Sequence, residues 1–215
     1  MTILIFANGD VGDVAWVKPY LSTATAVIAA DGGTRHLWRL NHVPDLVIGD
    51  LDSLPEEAGV WLESGESAVR RYPHDKDETD LELALTYAVE HYEEPIAIIG
   101  ASGGRLDQTL ANIMLLAHPA LAGRHVELLT EHQHAWLVTA ETIIHGQAGD
   151  IVSLVPIGGP VHIRQTSGLR WQLQDEMLTF GMARGVSNTM TGSEAQIIVD
   201  EGHLLCIHTS GQWNR

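Results

Sequence analysis

Asp50 and Asp52 flank a single residue within Gly49-Asp50-Leu51-Asp52-Ser53. That spacing lets two carboxylates leave one irregular loop toward a common ion, as magnesium sites that bridge substrate phosphates require. Four other segments carry similar chemistry: Asn8-Gly9-Asp10, Asp31-Gly32-Gly33, His74-Asp75-Lys76-Asp77, and Gly100-Ala101-Ser102-Gly103-Gly104-Arg105 with Asp107 following. Each acid alone has an ordinary explanation as a turn or helix-cap residue. Gathered at one rim, carboxylates repel one another unless a cation or a proton intervenes, and a hard divalent ion with oxygen ligands is the economical answer. The glycine-rich stretch 100–105 adds backbone N–H groups able to hold phosphate ahead of a helix. Arg105 is its natural cationic arm, because a planar guanidinium matches phosphate geometry.

Other chemistries find less support. The glycine stretch is neither GxxxxGK[ST] nor GxGxxG, so a P-loop ATPase and a dinucleotide enzyme are not indicated. The twelve histidines are scattered; His132 and His134 form the one tight pair, and no third ligand stands at a convincing spacing. Ser53 has no adjacent base, and the single cysteine, Cys206, lies in an alternating strand pattern that suits a buried structural thiol.

These residues need elements to position them. Short Ile- and Val-rich runs at 3–7, 26–30, 46–48, 68–72, 96–99 and 126–129 read as strands, with helical periods at 13–21, 34–40, 55–63, 80–92 and 106–116 between them. The helix at 80–92 is the clearest, with Leu81, Leu85, Ala88, Val89 and Tyr92 in register and Thr79 and Glu82 as a capping box. Such alternation predicts an α/β domain with a mostly parallel, Rossmann-like sheet, and in such sheets ligands bind beyond the carboxyl ends of the strands. Every segment named above follows a predicted strand. After Glu131 the texture changes to short alternating segments separated by Gly, Asp, Pro and Asn, which predicts an antiparallel sandwich or barrel-like module. The expected division is residues 1–132 and 133–215.

Composition sets the remaining bounds. A formal charge of −16, from 28 acidic and 12 basic side chains, argues against nucleic acid as a partner. Only Lys18 and Lys76 are lysines, so a nucleotide bound here needs divalent cations to offset its phosphates. No apolar run approaches the roughly 18 residues of a membrane span. The first residues, MTILIFANGD, read as a strand and not a signal peptide, and one cysteine fits a reducing compartment, so a cytoplasmic protein without membrane partners is expected.

The order of the motifs carries a resemblance. ANGD, AADGG, PDLVIGDLDS, HDKDETDLELAL, GASGGRLDQTLAN, SGLRW and GVSN, spread over nearly the whole chain, together resemble the thiamine pyrophosphokinases. The resemblance implies an N-terminal α/β catalytic domain binding ATP and Mg2+, a C-terminal β-sandwich that helps bind thiamine, and a homodimer with active sites between subunits. By motif position it implies metal and phosphate handling by Asp50, Asp52, Asp77 and Asp107, with Arg105 assisting and Asp31, Gly32, Gly103, Gly104 and Asp80 nearby. Gln108 and Asn112 would line the nucleotide or thiamine pocket, Ser187 and Asn188 would contact thiamine, and Trp171 offers either a stacking surface or a core side chain. Three other readings share parts of the pattern: a pterin pyrophosphokinase, a metal-dependent nucleotide-sugar transferase with a DxD pair, and a non-catalytic thiamine or nucleotide sensor. SGLRW and GVSN fit the thiamine pattern, and the sugar transferase leaves KDETD and GGRLDQ without a role.

Overall fold

Runs such as Ile3–Phe6 and Ile96–Ile99, with no polar interruption, suit strands covered on both faces, and these side chains are fully buried. A computed structural model describes residues 1–51, 56–73 and 75–211. The chain forms two units, Met1–Glu131 and His132–Arg215. In the first, β1 (Thr2–Phe6), β2 (Ala24–Ala30), β3 (Leu46–Gly49), β4 (Ala68–Arg71), β5 (Ile96–Ile99) and β6 (Val126–Leu129) pair in the order β6-β5-β1-β2-β3-β4. Every pairing among them is parallel. The edge strand β4 is exposed throughout and carries Arg70 and Arg71, charges that discourage pairing with another chain.

The helices are α1 (Lys18–Leu21), α2 (Thr34–Arg39), α3 (Glu56–Ser64), α4 (Asp80–His91) and α5 (Leu106–Met114). The helix expected over 13–21 is instead a 3-10 turn, Val14–Val17, running into the four-residue α1. Pro19 has no N–H to offer the carbonyl four residues back, so a continuous α-helix cannot form there. In α4 the Thr79 half of the expected capping box is present, Thr79 Oγ1 accepting from the Glu82 N–H at 3.2 Å, while the Glu82 carboxylate faces His118 Nε2 at 3.6 Å; Leu81, Ala84, Leu85 and Ala88 are buried.

The second unit is antiparallel and, among the described residues, without helix. Its strands are β7 (Gln133–Val138), β8 (Glu141–His145), β9 (Ile151–Ser167), β10 (Gln174–Leu178), β11 (Asn188–Thr189) and β12 (Glu194–Thr209). Here the segmentation expected from turn signals is corrected. Gly158-Gly159-Pro160 and Asp200-Glu201-Gly202 do not end strands; they face each other across the β9–β12 ladder, where the register shifts at Val199/Glu201 and Glu201/His203. Turn residues matched in this way on two paired strands act as bulges, bending both without separating them. The first half of β12 thereby pairs with β8 and the second half with β7.

A buried polar knot fixes one end of this unit. Asp150 Oδ2 accepts from the Gln147 N–H at 3.0 Å and lies 3.0 Å from His208 Nε2, while Oδ1 accepts from the Gly211 N–H at 3.1 Å. Burial alone would raise the Asp150 pKa, but these donors outweigh it and hold the carboxyl below the usual carboxylate range. Cys206, central in β12, is fully buried, and burial pushes its thiol pKa well above the ordinary range. Ellman's reagent is therefore expected to leave Cys206 unmodified in the native protein and to titrate one thiol after unfolding in guanidinium; rapid modification without denaturant would contradict this packing.

Candidate active site

Because β2 to β4 extend from one flank of β1 while β5 takes the other, the loops after β1 and β5 leave neighbouring strands toward opposite helices. A crevice opens at such a switch point. Here the two loops are tied together beyond the strands: the Ala7 N–H donates to Ile99 O at 2.8 Å, Gly9 to Gly100 O at 2.7 Å and Asp10 to Ser102 O at 2.7 Å. A Cβ on Gly9 would stand 2.3 Å from both Gly100 O and Ser102 O, so only glycine allows this approach.

Helix α2 grips the β1 loop from the other side. Arg35 Nη2 donates to Asn8 O at 2.9 Å and to Gly9 O at 2.8 Å, and Arg39 Nη2 donates to Gly12 O at 3.0 Å. Buried His36 places Nε2 2.9 Å from Gly9 O. A carbonyl can only accept, so the ring is assigned the tautomer protonated on Nε2. Burial lowers the His36 pKa, with Arg35 and Arg39 acting in the same sense against the Gly9 hydrogen bond and Asp10. The helix can begin so close to β1 because position 33 is glycine; a Cβ there would meet Phe6 O at 1.9 Å.

The resulting cleft, about 660 Å³, is bordered by five carboxylates (Asp10, Asp31, Asp50, Glu78 and Asp80) and three cations (Arg35, Lys76 and Arg105). Two residues adjoining it adopt left-handed backbone, Asp31 at φ 42° and Leu51 at φ 63°. The first turn of α4 reaches the cleft through Thr79, Asp80 and Leu81, and the Lys76 ammonium lies 2.9 Å from Asp80 Oδ1.

Several residues singled out in the sequence thus meet: Asp31, Asp50, Asp80, Gly103, Gly104, Arg105, Gln108 and Asn112 all border this space. Asn112 is buried and donates to Ala101 O at 2.8 Å, so it braces the glycine loop from behind. Gly32 packs against the Asn8 side chain instead of facing the cleft. Asp77 and Asp107 are exposed and do not border the cleft. Asp107 is held by Arg105 through Nε at 3.1 Å and Nη2 at 2.5 Å, and each group stabilises the charged form of the other. Asp52 lies outside the described residues. Among the described residues no three His, Cys, Asp or Glu side chains stand close enough to share a metal ion. The donors of the cleft are nevertheless hard oxygens, which fit magnesium, an ion that takes one or two carboxylates and leaves its other positions to water and phosphate. Asn8, Gly9 and Lys76 border the cleft from segments named in the sequence but were given no role of their own there, and Arg35, Glu78 and Thr79 were not placed at this rim. The four-residue spacing of Arg35 and Arg39, which puts both on one helix face, was the available signal.

In the second unit Asn188 is buried and its amide is committed to backbone. It accepts from the Trp171 N–H at 3.0 Å and the Thr189 N–H at 2.8 Å, and donates to Trp171 O at 2.6 Å. Trp171 is 56% exposed, so its ring is not core, and the Arg170 guanidinium lies 4.9 Å from its centroid. Ser187 is left-handed at φ 61°, and its N–H donates to Ser153 Oγ at 3.0 Å.

The model of the thiamin pyrophosphokinase catalytic domain matches residues 17–128, and that of the family's vitamin B1 binding domain matches residues 141–204. The chain belongs to the thiamin pyrophosphokinase family. It is 28% identical over 211 residues to the thiamine pyrophosphokinase of Bacillus subtilis (strain 168), a match covering 97% of this chain and 99% of that protein. A rice thiamine pyrophosphokinase is 26% identical over 199 residues, 80% of this chain and 75% of its own. Crystal structures of the thiamine pyrophosphokinases from Bacillus subtilis and Geobacillus thermodenitrificans superpose with TM-scores of 0.88 and 0.86 at 27% and 26% identity, covering 98% and 99% of this chain and 99% of each. The match to a vitamin B1 binding domain disfavours the pterin and sugar-nucleotide readings.

The His36 contact has a pH signature. Its folded pKa lies below the unfolded value of about 6.5, so its contribution is fully present above that value and is lost as pH falls through the folded pKa. Relative to His36→Gln, which cannot titrate, the wild-type melting temperature should fall by roughly 2–4 °C more between pH 7 and pH 5. Parallel curves from scanning calorimetry would remove His36 as the titrating group.

Proposed function

We propose that the protein transfers the pyrophosphoryl group of ATP to the hydroxyl of thiamine, giving thiamine diphosphate and AMP. The observation that carries this reading is the acidic, glycine-rimmed cleft at the β1/β5 switch point, in a chain whose two parts match the two domains of one kinase family. In the reaction the thiamine oxygen attacks the β-phosphorus, the bond from that phosphorus to the α–β bridging oxygen breaks, and AMP departs. The hydroxyl proton passes to a carboxylate of the cleft that is not engaged with the metal.

Such a transfer needs positioning and charge stabilisation more than covalent work by the protein. Asp50, with Asp31, Asp80 and Asp52, would hold magnesium, which would neutralise the triphosphate and polarise the phosphorus under attack. Asp77 and Asp107 belong to this set only if nucleotide binding draws them in, and for Asp107 that means giving up Arg105. The glycine loop, braced by Asn112, offers N–H groups to phosphate, and Gln108 faces the same space.

Thiamine we assign to the second unit, read as a β-sandwich whose bent strands β9 and β12 contribute to both leaves. There Trp171 presents an exposed aromatic face, Asn188 holds its backbone, and Ser187 adjoins it in sequence. We further propose a cytoplasmic homodimer. In support, α5 exposes Leu106, Leu110 and Met114 at four-residue spacing, an apolar stripe more typical of a subunit contact than of free surface. No helix among the described residues is long and apolar enough to cross a membrane.

Incubation of the purified protein with ATP, magnesium and thiamine should yield AMP and thiamine diphosphate in equal amounts; ADP and thiamine monophosphate would sink the reading. Asp50→Asn is expected to lower kcat by about 100-fold or more with an unchanged melting temperature. Wild-type turnover in that variant would remove the metal role of Asp50.

A further inference from the structure

The three cations of the cleft differ in how far their donors are already committed. Arg35 is turned toward the Asn8 and Gly9 carbonyls, where it shapes the loop. Arg105 makes a two-point pair with Asp107, the side chains being 72% and 64% exposed. Lys76 is different. Its side chain is only 13% exposed, and its ammonium stands 2.9 Å from Asp80 Oδ1 and 3.3 Å from Pro73 O. An ammonium has three N–H donors; the Pro73 carbonyl takes one, the Asp80 contact is an ion pair, and together they occupy at most two.

Three circumstances suit the remaining donor to a phosphate oxygen. Lys76 borders the cleft, so a bound ligand is within its surroundings. The first turn of α4 borders the same space, and a helix N-terminus favours an anion there. Lastly, a cation nearly withdrawn from water is screened less than one at the rim, so it attracts an anion more strongly than Arg105 can. Asp80, its direct neighbour, is among the carboxylates suited to magnesium, which points to the most densely charged part of the ligand.

We propose that Lys76 grips the pyrophosphoryl end of the bound nucleoside triphosphate, with Asp80 and the Pro73 carbonyl orienting its ammonium. The inference rests on the reading of the cleft as an ATP site and adds a residue that contacts the transferred group. Arg105 then serves the outer rim. The contact is made to the β- and γ-phosphates, and AMP, which lacks both, does not use it.

Calorimetric titration with α,β-methylene-ATP and magnesium, whose α–β link cannot be cleaved, tests this directly. Lys76→Met should weaken that ligand by about 10- to 100-fold while changing AMP affinity less than about twofold. Equal losses for both ligands, or none for the analogue, overturn the proposal. Should the variant fail to fold, the wild type gives the answer by amine labelling and mass spectrometry, because Lys18, on the exposed surface, is the one other lysine. The analogue should protect Lys76 and AMP should not, with Lys18 labelled equally throughout; unprotected Lys76 overturns the assignment. A wild type that makes thiamine diphosphate alongside an indifferent Lys76→Met sinks the lysine role alone. A wild type that makes none, but binds the analogue through Lys76, sinks the thiamine reading and sustains the lysine role.

Discussion

The backbone that leaves β1 is held on two sides, and the cleft depends on that restraint. On one side it continues the ladder with the β5 loop through Gly9 and Asp10; on the other, Arg35, His36 and Arg39 of α2 close on the carbonyls of Asn8, Gly9 and Gly12. A loop built of small residues has few side chains with which to brace itself, so the brace comes from neighbouring elements. Gly9 and Gly33 let those elements approach, and Asn112 performs the same service for the β5 loop from α5. The rim of the cleft is thus fixed by contacts within the protein, and for the proposed reaction that would allow electrostatic stabilisation without reorganisation.

Charge poses the opposite problem. A cleft with five carboxylates against three cations, in a chain of net charge −16, repels a polyphosphate unless positive charge is imported. The cations are not loose compensators either, since Arg35 is engaged with carbonyls and Arg105 with Asp107. In the proposed reaction a divalent ion arriving with the nucleotide would resolve this, because it would join carboxylate to phosphate oxygen and change the sign of their mutual interaction.

Legibility in the sequence followed the range of the interactions involved. Parallel strands buried on both faces read as unbroken apolar runs, and the acid-bearing segments could be placed at strand ends, so the meeting of Asp31, Asp50 and Asp80 around one cleft was legible. The bent strands β9 and β12 were not, because Gly158-Gly159-Pro160 resembles a turn until its partner across the ladder is known. Arg35 and Lys76 were missed for a related reason: a basic side chain near a helix start is ordinary, and only packing shows which way it points. Asp107 illustrates the converse. Its motif position suggests a ligand, yet a guanidinium two residues away already holds it.

Left-handed backbone at non-glycine residues occurs in two settings, at helix ends and away from them. Six non-glycine residues have left-handed φ. Asn41 and Glu66 follow the ends of α2 and α3, where such a conformation terminates a helix at little cost for a polar residue. Asp31, Leu51, Asp175 and Ser187 have no such role; the first two adjoin the cleft, Asp175 lies in β10 with its carboxylate 2.8 Å from His162 Nε2, and Ser187 lies in GVSN beside Asn188. A leucine in this region is disfavoured by its own Cβ, so the fold must gain elsewhere by holding it there. At position 51 the strained residue directly follows Asp50, one of the carboxylates that border the cleft.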